Sequence, residues 1–206
     1  MKNYGELKTD TEIEMTMKSL TDNGFLPEVV NTSLDAMEKI KSLIPAGASI
    51  MNGSSTTLQE IGFIDLLKGG NTGWNNLHEN VLKETDPAKQ ANLRKEVVLS
   101  DYYLGSVHAV SKDGVLLIAS NSGSQLPHLA FTSANLILIV GTQKITENLT
   151  DSMQRVREYI FPLEDARMKS VNMGGSYISK ELILYKEQSW SGRKVHVIFV
   201  KEKLGF

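Results

Sequence analysis

The sequence predicts an α/β fold with a mainly parallel central sheet and a small antiparallel annex. Three observations carry this reading. Apolar residues recur at helical spacing in several segments. Short apolar runs of strand length alternate with those segments. Lys112-Asp113-Gly114 separates two such runs as a hairpin turn does, because Asp-Gly suits the left-handed backbone of a tight turn.

The elements follow in order. From about Thr9 to Asn23 the chain reads as a helix, stopped by Asn23-Gly24, and residues 1–30 are expected to form a helical N-terminal extension. Leu34, Met37, Ile40 and Ile44 form one apolar stripe of a second helix, entered through Asn31-Thr32-Ser33 and ended by Pro45. Ala48–Met51 reads as a buried strand. A helix is expected from Thr56, with Thr57/Glu60 or Thr56/Gln59 in the capping-box relation.

Residues 68–76, rich in glycine and asparagine, read as a long surface loop rather than a flap over a site. A helix follows from Pro87 to Ser100, with Pro87 in its first turn. Val107–Ser111 and Val115–Ala119 are the two arms of the hairpin. The run Leu136–Val140 is expected to be reached from the second arm through a right-handed βαβ crossover. Leu149, Met153, Val156 and Ile160 mark another amphipathic helix. Glu181–Tyr185 and Val195–Val200 are the last two strands. The sequence shows no repeat and no linker, so 1–206 reads as one domain.

Composition removes several functions. A formal net charge of −2 supplies no basic field for nucleic acid. The absence of cysteine excludes disulfides, thiolate metal sites, cysteine nucleophiles and iron–sulfur clusters ligated by this chain. No apolar run approaches a membrane span, and the start MKNYGELKTD lacks the apolar core of a signal peptide, so a cytoplasmic location is expected.

The chemistry is expected in three polar loops, each following a proposed parallel strand. They are Asn52-Gly53-Ser54-Ser55-Thr56-Thr57, then Ser120-Asn121-Ser122-Gly123-Ser124-Gln125, then Gly141-Thr142-Gln143-Lys144. Ligands of open α/β sheets bind beyond the carboxyl ends of the strands. Glycines let the backbone come close, hydroxyls donate, a helix N-terminus favours an anion, and Lys144 adds a full positive charge. The local alternative is that such residues merely turn the chain and cap helices. Neither G-x-x-x-x-G-K-[ST] nor G-x-G-x-x-G occurs.

His78, His108, His128 and His196 show no metal-ligand spacing, so no metal is expected. His108 is the acid–base candidate, with a satisfied structural histidine as the plainer reading. Asp113 is a second catalytic candidate, although the turn itself explains it. Arg155, Arg157 and Arg167 are expected on solvated helix faces or paired with Glu158, Glu164 and Asp165.

The stretches Gly105–Gly114, Ala119–Pro127, Val140–Ile145 and Pro162–Arg167, with Asn52–Gly62 and Ile198–Phe206, resemble the LUD-domain family of lactate-utilisation proteins. The resemblance runs over residues 37–206. It implies a three-layer α/β/α fold similar to ribose-5-phosphate isomerase, the coenzyme A transferases and formyltetrahydrofolate cyclo-ligase. It also implies a phosphate or carboxylate site at Asn52–Thr57 and a role in oxidising L-lactate to pyruvate. This chain lacks the cysteine-rich extension of larger members, so iron–sulfur or flavin groups are expected only on partner subunits, and a homo-oligomer is compatible with the family. The fold relatives suggest two alternatives. One is a stand-alone isomerase, transferase or cyclo-ligase acting on a phosphorylated sugar, folate or acyl-CoA through His108, Asp113 and Lys144. The other is a non-catalytic ligand-sensing subunit.

Overall fold

The computed structural model describes residues 2–206. From the N-terminus, α1 (Asp10–Asp22) leads to β1 (Leu26–Val30), α2 (Ser33–Leu43) and β2 (Ser49–Asn52). Then come α3 (Thr56–Glu60), α4 (Phe63–Lys68), β3 (Asn75–Asn76), α5 (Leu77–Lys83), α6 (Pro87–Glu96) and β4 (Tyr102–Gly105). The hairpin of β5 (Ala109–Ser111) and β6 (Leu116–Ser120) precedes β7 (Asn135–Gly141) and β8 (Ile145–Thr146). Next, α7 (Leu149–Arg155) runs through a π-helical turn, Val156–Ile160, into α8 (Phe161–Ser170). The chain closes with β9 (Lys180–Leu184) and β10 (Lys194–Val200).

Six strands form an all-parallel sheet in the order β1-β10-β7-β4-β2-β3. Parallel strands covered on both faces need apolar residues at every position, and β7 shows why. Its Leu136, Leu138 and Val140 join a core with α1 residues Ile13 and Leu20, while Ile137 and Ile139 point to the opposite core. Each such side chain contributes about 1.5–3 kcal/mol by leaving water. The opposite core is closed by Ala36, Met37 and Ile40 of α2 and by Leu58 and Phe63. Helices therefore cover both faces of the sheet in a three-layer α/β/α fold.

A second sheet, ordered β8-β5-β6-β9, packs beside α1. Its Ala109 and Leu117 meet Val156 and Ile160 of the π-helical turn. The annex is thus a mixed sheet, with β5/β6 and β6/β9 antiparallel and β5/β8 parallel. Among the described residues, no helix is long and apolar enough to cross a membrane.

Several local expectations need correction. The N-terminal segment is helical only over Asp10–Asp22, and Leu26–Val30 is the edge strand β1. Pro27 disguised it, because proline lacks a ladder donor and survives in strands mainly at an edge. Leu34 is 78% exposed and Ala36 is buried in its place. At 3.6 residues per turn Leu34 lies about 120° round the helix from Ile40, and Ala36 only about 40°.

No βαβ crossover joins β6 to β7. The two strands lie in different sheets, linked by the short π-helical turn His128–Thr132. With one edge paired to β5 and the other to β9, β6 has no edge left for the parallel sheet. Of the loop expected at residues 68–76, Lys68 ends α4 and Asn75–Asn76 pair with β2 as β3. The part between lies on the surface, held by Trp74, which donates to Ile44 O at 3.2 Å and stacks on Phe63.

Candidate functional site

A cavity of about 710 Å3 opens where the two sheets meet. The β2–α3 loop contributes Asn52 to Thr57, and the loop after β6 contributes Ser120, Asn121, Ser122, Ser124 and Gln125. The third loop contributes Lys144 alone. The second loop thus reaches the cavity from the annex, not from the parallel sheet as its sequence suggested.

Lys144 is 3% exposed. Its Nζ donates to Thr57 Oγ1 at 2.9 Å and to Ser106 Oγ at 3.0 Å. Ser106 in turn donates to Ile139 O at 2.7 Å, and Thr57 to Leu204 O, so both hydroxyls present lone pairs to the amine. Among the described residues no carboxylate lies within ion-pair distance of Lys144. Burial, and then the charge of Arg155, push the amine down to about 7, with the more distant Glu60 opposing them.

His108 lines the same cavity, half-buried. Its Nδ1 accepts from the Ala119 N–H at 3.1 Å, which places the ring hydrogen on Nε2. Burial, then Lys144 and Arg155, hold it far below the usual histidine range, at about 3. With Nδ1 so engaged, neutral His108 carries its hydrogen on Nε2 as a donor.

The nearby Arg155 corrects its expected place on a solvated face, since it is fully buried. Its Nη1 donates to His108 O at 2.6 Å and its guanidinium lies 5.3 Å from the Tyr159 ring centroid. Its Nε and Nη2 have no partner among the described residues. Arg157 and Arg167 do pair, with Glu181 and Glu164. Lys144 thus lines the cavity and Arg155 does not, and among the described residues neither buried cation touches a carboxylate.

The first loop is shaped by close approach. A Cβ on Gly53 would lie 2.6 Å from Tyr103 Oη, so only glycine fits there. Tyr103 stacks on His128 at 4.5 Å, and His128 Nδ1 meets Ser133 Oγ at 2.9 Å. Burial drives His128 down to about 4. Ser55, not Thr56 or Thr57, caps α3 by accepting from the Leu58 N–H at 3.3 Å. Neither expected capping box forms: Thr57 turns to Lys144, and Glu60 accepts from the Gly205 N–H at 2.6 Å. The backbone of Ser54–Thr56 is not sealed over by side chains, because these residues line the cavity. Asn52 is buried and its Oδ1 has no partner among the described residues.

Other candidates lie elsewhere. Asp113 is exposed on the hairpin turn, its carbonyl accepting from Asn23 Nδ2 at 3.0 Å, and it does not line the cavity. Gln143 is buried behind the cavity, donating to Leu204 O at 2.8 Å. Gly123 shapes its loop at φ +85°, its N–H donating to Ser120 Oγ at 2.9 Å.

The sequence reading gave no site role to Ser106, which holds Lys144, or to His78. His78, on α5, donates Nδ1–H to Asn52 O at 2.7 Å, leaving its Nε2 lone pair free at the cavity wall. No local signal marks it, since only the fold brings α5 against β2.

Comparison with known proteins places this geometry. A family model described as the LUD domain matches residues 13–200. No curated protein matches the chain. Among solved structures, a DUF162 family protein from Deinococcus radiodurans is similar, with a TM-score of 0.54 and 13% identity, covering 95% of this chain and 99% of that one. At that identity the likeness speaks for the fold. With the family match spanning both sheets and all three loops, the chain belongs to the LUD-domain family.

Proposed function

We propose that this LUD-domain protein binds a small metabolite bearing a carboxylate or phosphate, in the service of L-lactate utilisation. The observation that carries the reading is Lys144, a buried cation at a cavity wall held by two hydroxyls and no carboxylate. Burying a charge without a counter-charge is costly. An anion entering the cavity supplies that counter-charge, with Nε2–H of His108 and the loop hydroxyls as further donors. Nε2 of His78 is the acceptor within reach of the cavity for a hydroxyl proton.

Converting lactate to pyruvate releases two electrons as well as two protons. In this reading those electrons pass to a flavin or iron–sulfur group on a partner subunit. The binding step is tested by thermal shift and calorimetry with lactate, pyruvate and inorganic phosphate. At least one should stabilise the wild type and leave Lys144→Met unaffected. Methionine fills a similar volume without the charge, so the variant should fold. If no anion binds the wild type, or if Lys144→Met binds equally well, the reading fails.

A further inference from the structure

The cavity changes chemistry from floor to mouth. At the floor, Asn52, Thr57 and Lys144 are 2%, 2% and 3% exposed. Its walls include the buried apolar residues Val107, Val156 and Ile160. Four cavity-lining apolar residues are largely exposed and so must stand at the opening. They are Leu82 at 64%, Val171 at 53%, Met173 at 66% and Tyr177 at 69%.

Single exposed apolar side chains are ordinary. Four from two separate segments, α5 and the stretch after α8, gathered round one opening are not, even beside the exposed polar residues Ser54, Arg94, Asn121, Ser122 and Ser124 that line it too. The volume points the same way, since pockets of about 300–1,000 Å3 suit ligands of drug size. An acid the size of lactate would occupy the floor and leave water against apolar walls.

We propose that the cavity takes an amphipathic anion, its carboxylate or phosphate head at Lys144 and an apolar tail running past Val156 and Ile160 to Leu82 and Met173. This rests on the anion reading of the floor and adds the tail. Apolar area removed from water along that wall would supply affinity that the head alone lacks.

Calorimetry on the full chain tests it, with straight-chain carboxylates of increasing length and a matched series of alkyl phosphates below their micelle concentrations. The dissociation constant should fall roughly threefold to fourfold per methylene, levelling off once the tail reaches the mouth. Whichever series binds tighter at equal length identifies the head. Leu82→Asp and Met173→Asp, at exposed positions that tolerate a charge, should flatten the long end of the series. Leu99→Asp, exposed but outside the cavity, should leave the series unchanged. Equal affinity at every length overturns the tail and leaves the anion floor standing. A length dependence indifferent to both mouth substitutions also overturns it, by placing the tail elsewhere. Failure of every acid and phosphate to bind, short or long, overturns the anion reading as well.

Discussion

Lys144 gains or loses its proton according to what shares its cavity. In the folded chain it titrates near 7, facing Arg155, His108 and, at a distance, Glu60; in the unfolded chain it titrates near the ordinary 10.5. Between those values the unfolded state holds the extra proton, so stability rises with pH through that window, and the full penalty is present below about 7. Denaturant unfolding at pH 7 and 9.5 should show a gain for the wild type, at most about 1.4 kcal/mol per pH unit, that Lys144→Met lacks. Anion affinity should run the other way, weakening as pH rises above about 7. At Gly53 the constraint is space: Gly53→Ala should cost about 1–3 kcal/mol, and Tyr103→Phe should recover part of it by removing the oxygen that the new methyl meets. The sequence suggested Lys144 as a charge beside glycine-rich loops, because a cation after a strand is visible as such. That the cation is buried is a property of the fold, as is the burial of Arg155, and neither could be read from neighbours in sequence.

Secondary elements show where local chemistry suffices. Thr9 with Glu12 and Thr32 with Asp35 form complete capping boxes, and both helices begin where the sequence expects. At α3 the same rule picked the wrong residue, because Thr57 and Glu60 are drawn off by Lys144 and Gly205. Ser55→Ala should therefore lower stability by about 0.5–2 kcal/mol in chemical denaturation. Thr57→Ser keeps the hydroxyl and should change stability less than Ser55→Ala; the reverse order would mean that Ser55 is not the cap. The edge strand β1 was hidden by Pro27, and the βα loops were legible as loops although one belongs to another sheet. Tertiary pairing, not propensity, decided that assignment.

Across the molecule, the cavity is assembled from parts far apart in the chain. Residues 204–206 complete it: Leu204 O accepts from Gln143, the Gly205 N–H meets Glu60, and Phe206 packs beside Val156 and Ile160. Gly205 sits at φ +63°, and a Cβ there would lie 2.5 Å from Thr57 Oγ1 and 3.3 Å from Lys144 Nζ. Gly205→Ala should both lower the melting temperature and weaken anion binding, read by thermal shift with and without ligand; unchanged values in both would show that this segment does not hold the floor. The three-layer class was legible because it depends on patterns repeated along the whole chain, whereas the meeting of two sheets depends on pairings between distant strands. One of those pairings has a consequence for synthesis. Strand β1, at residues 26–30, finds its only sheet partner among the described residues in β10, at residues 194–200. While the intervening chain is being made, Leu26–Val30 has no ladder to join, and such non-local parallel pairing is slow. The nascent protein therefore carries an open, apolar sheet edge on β7 until β10 emerges, and that interval is when it most needs shielding from its neighbours.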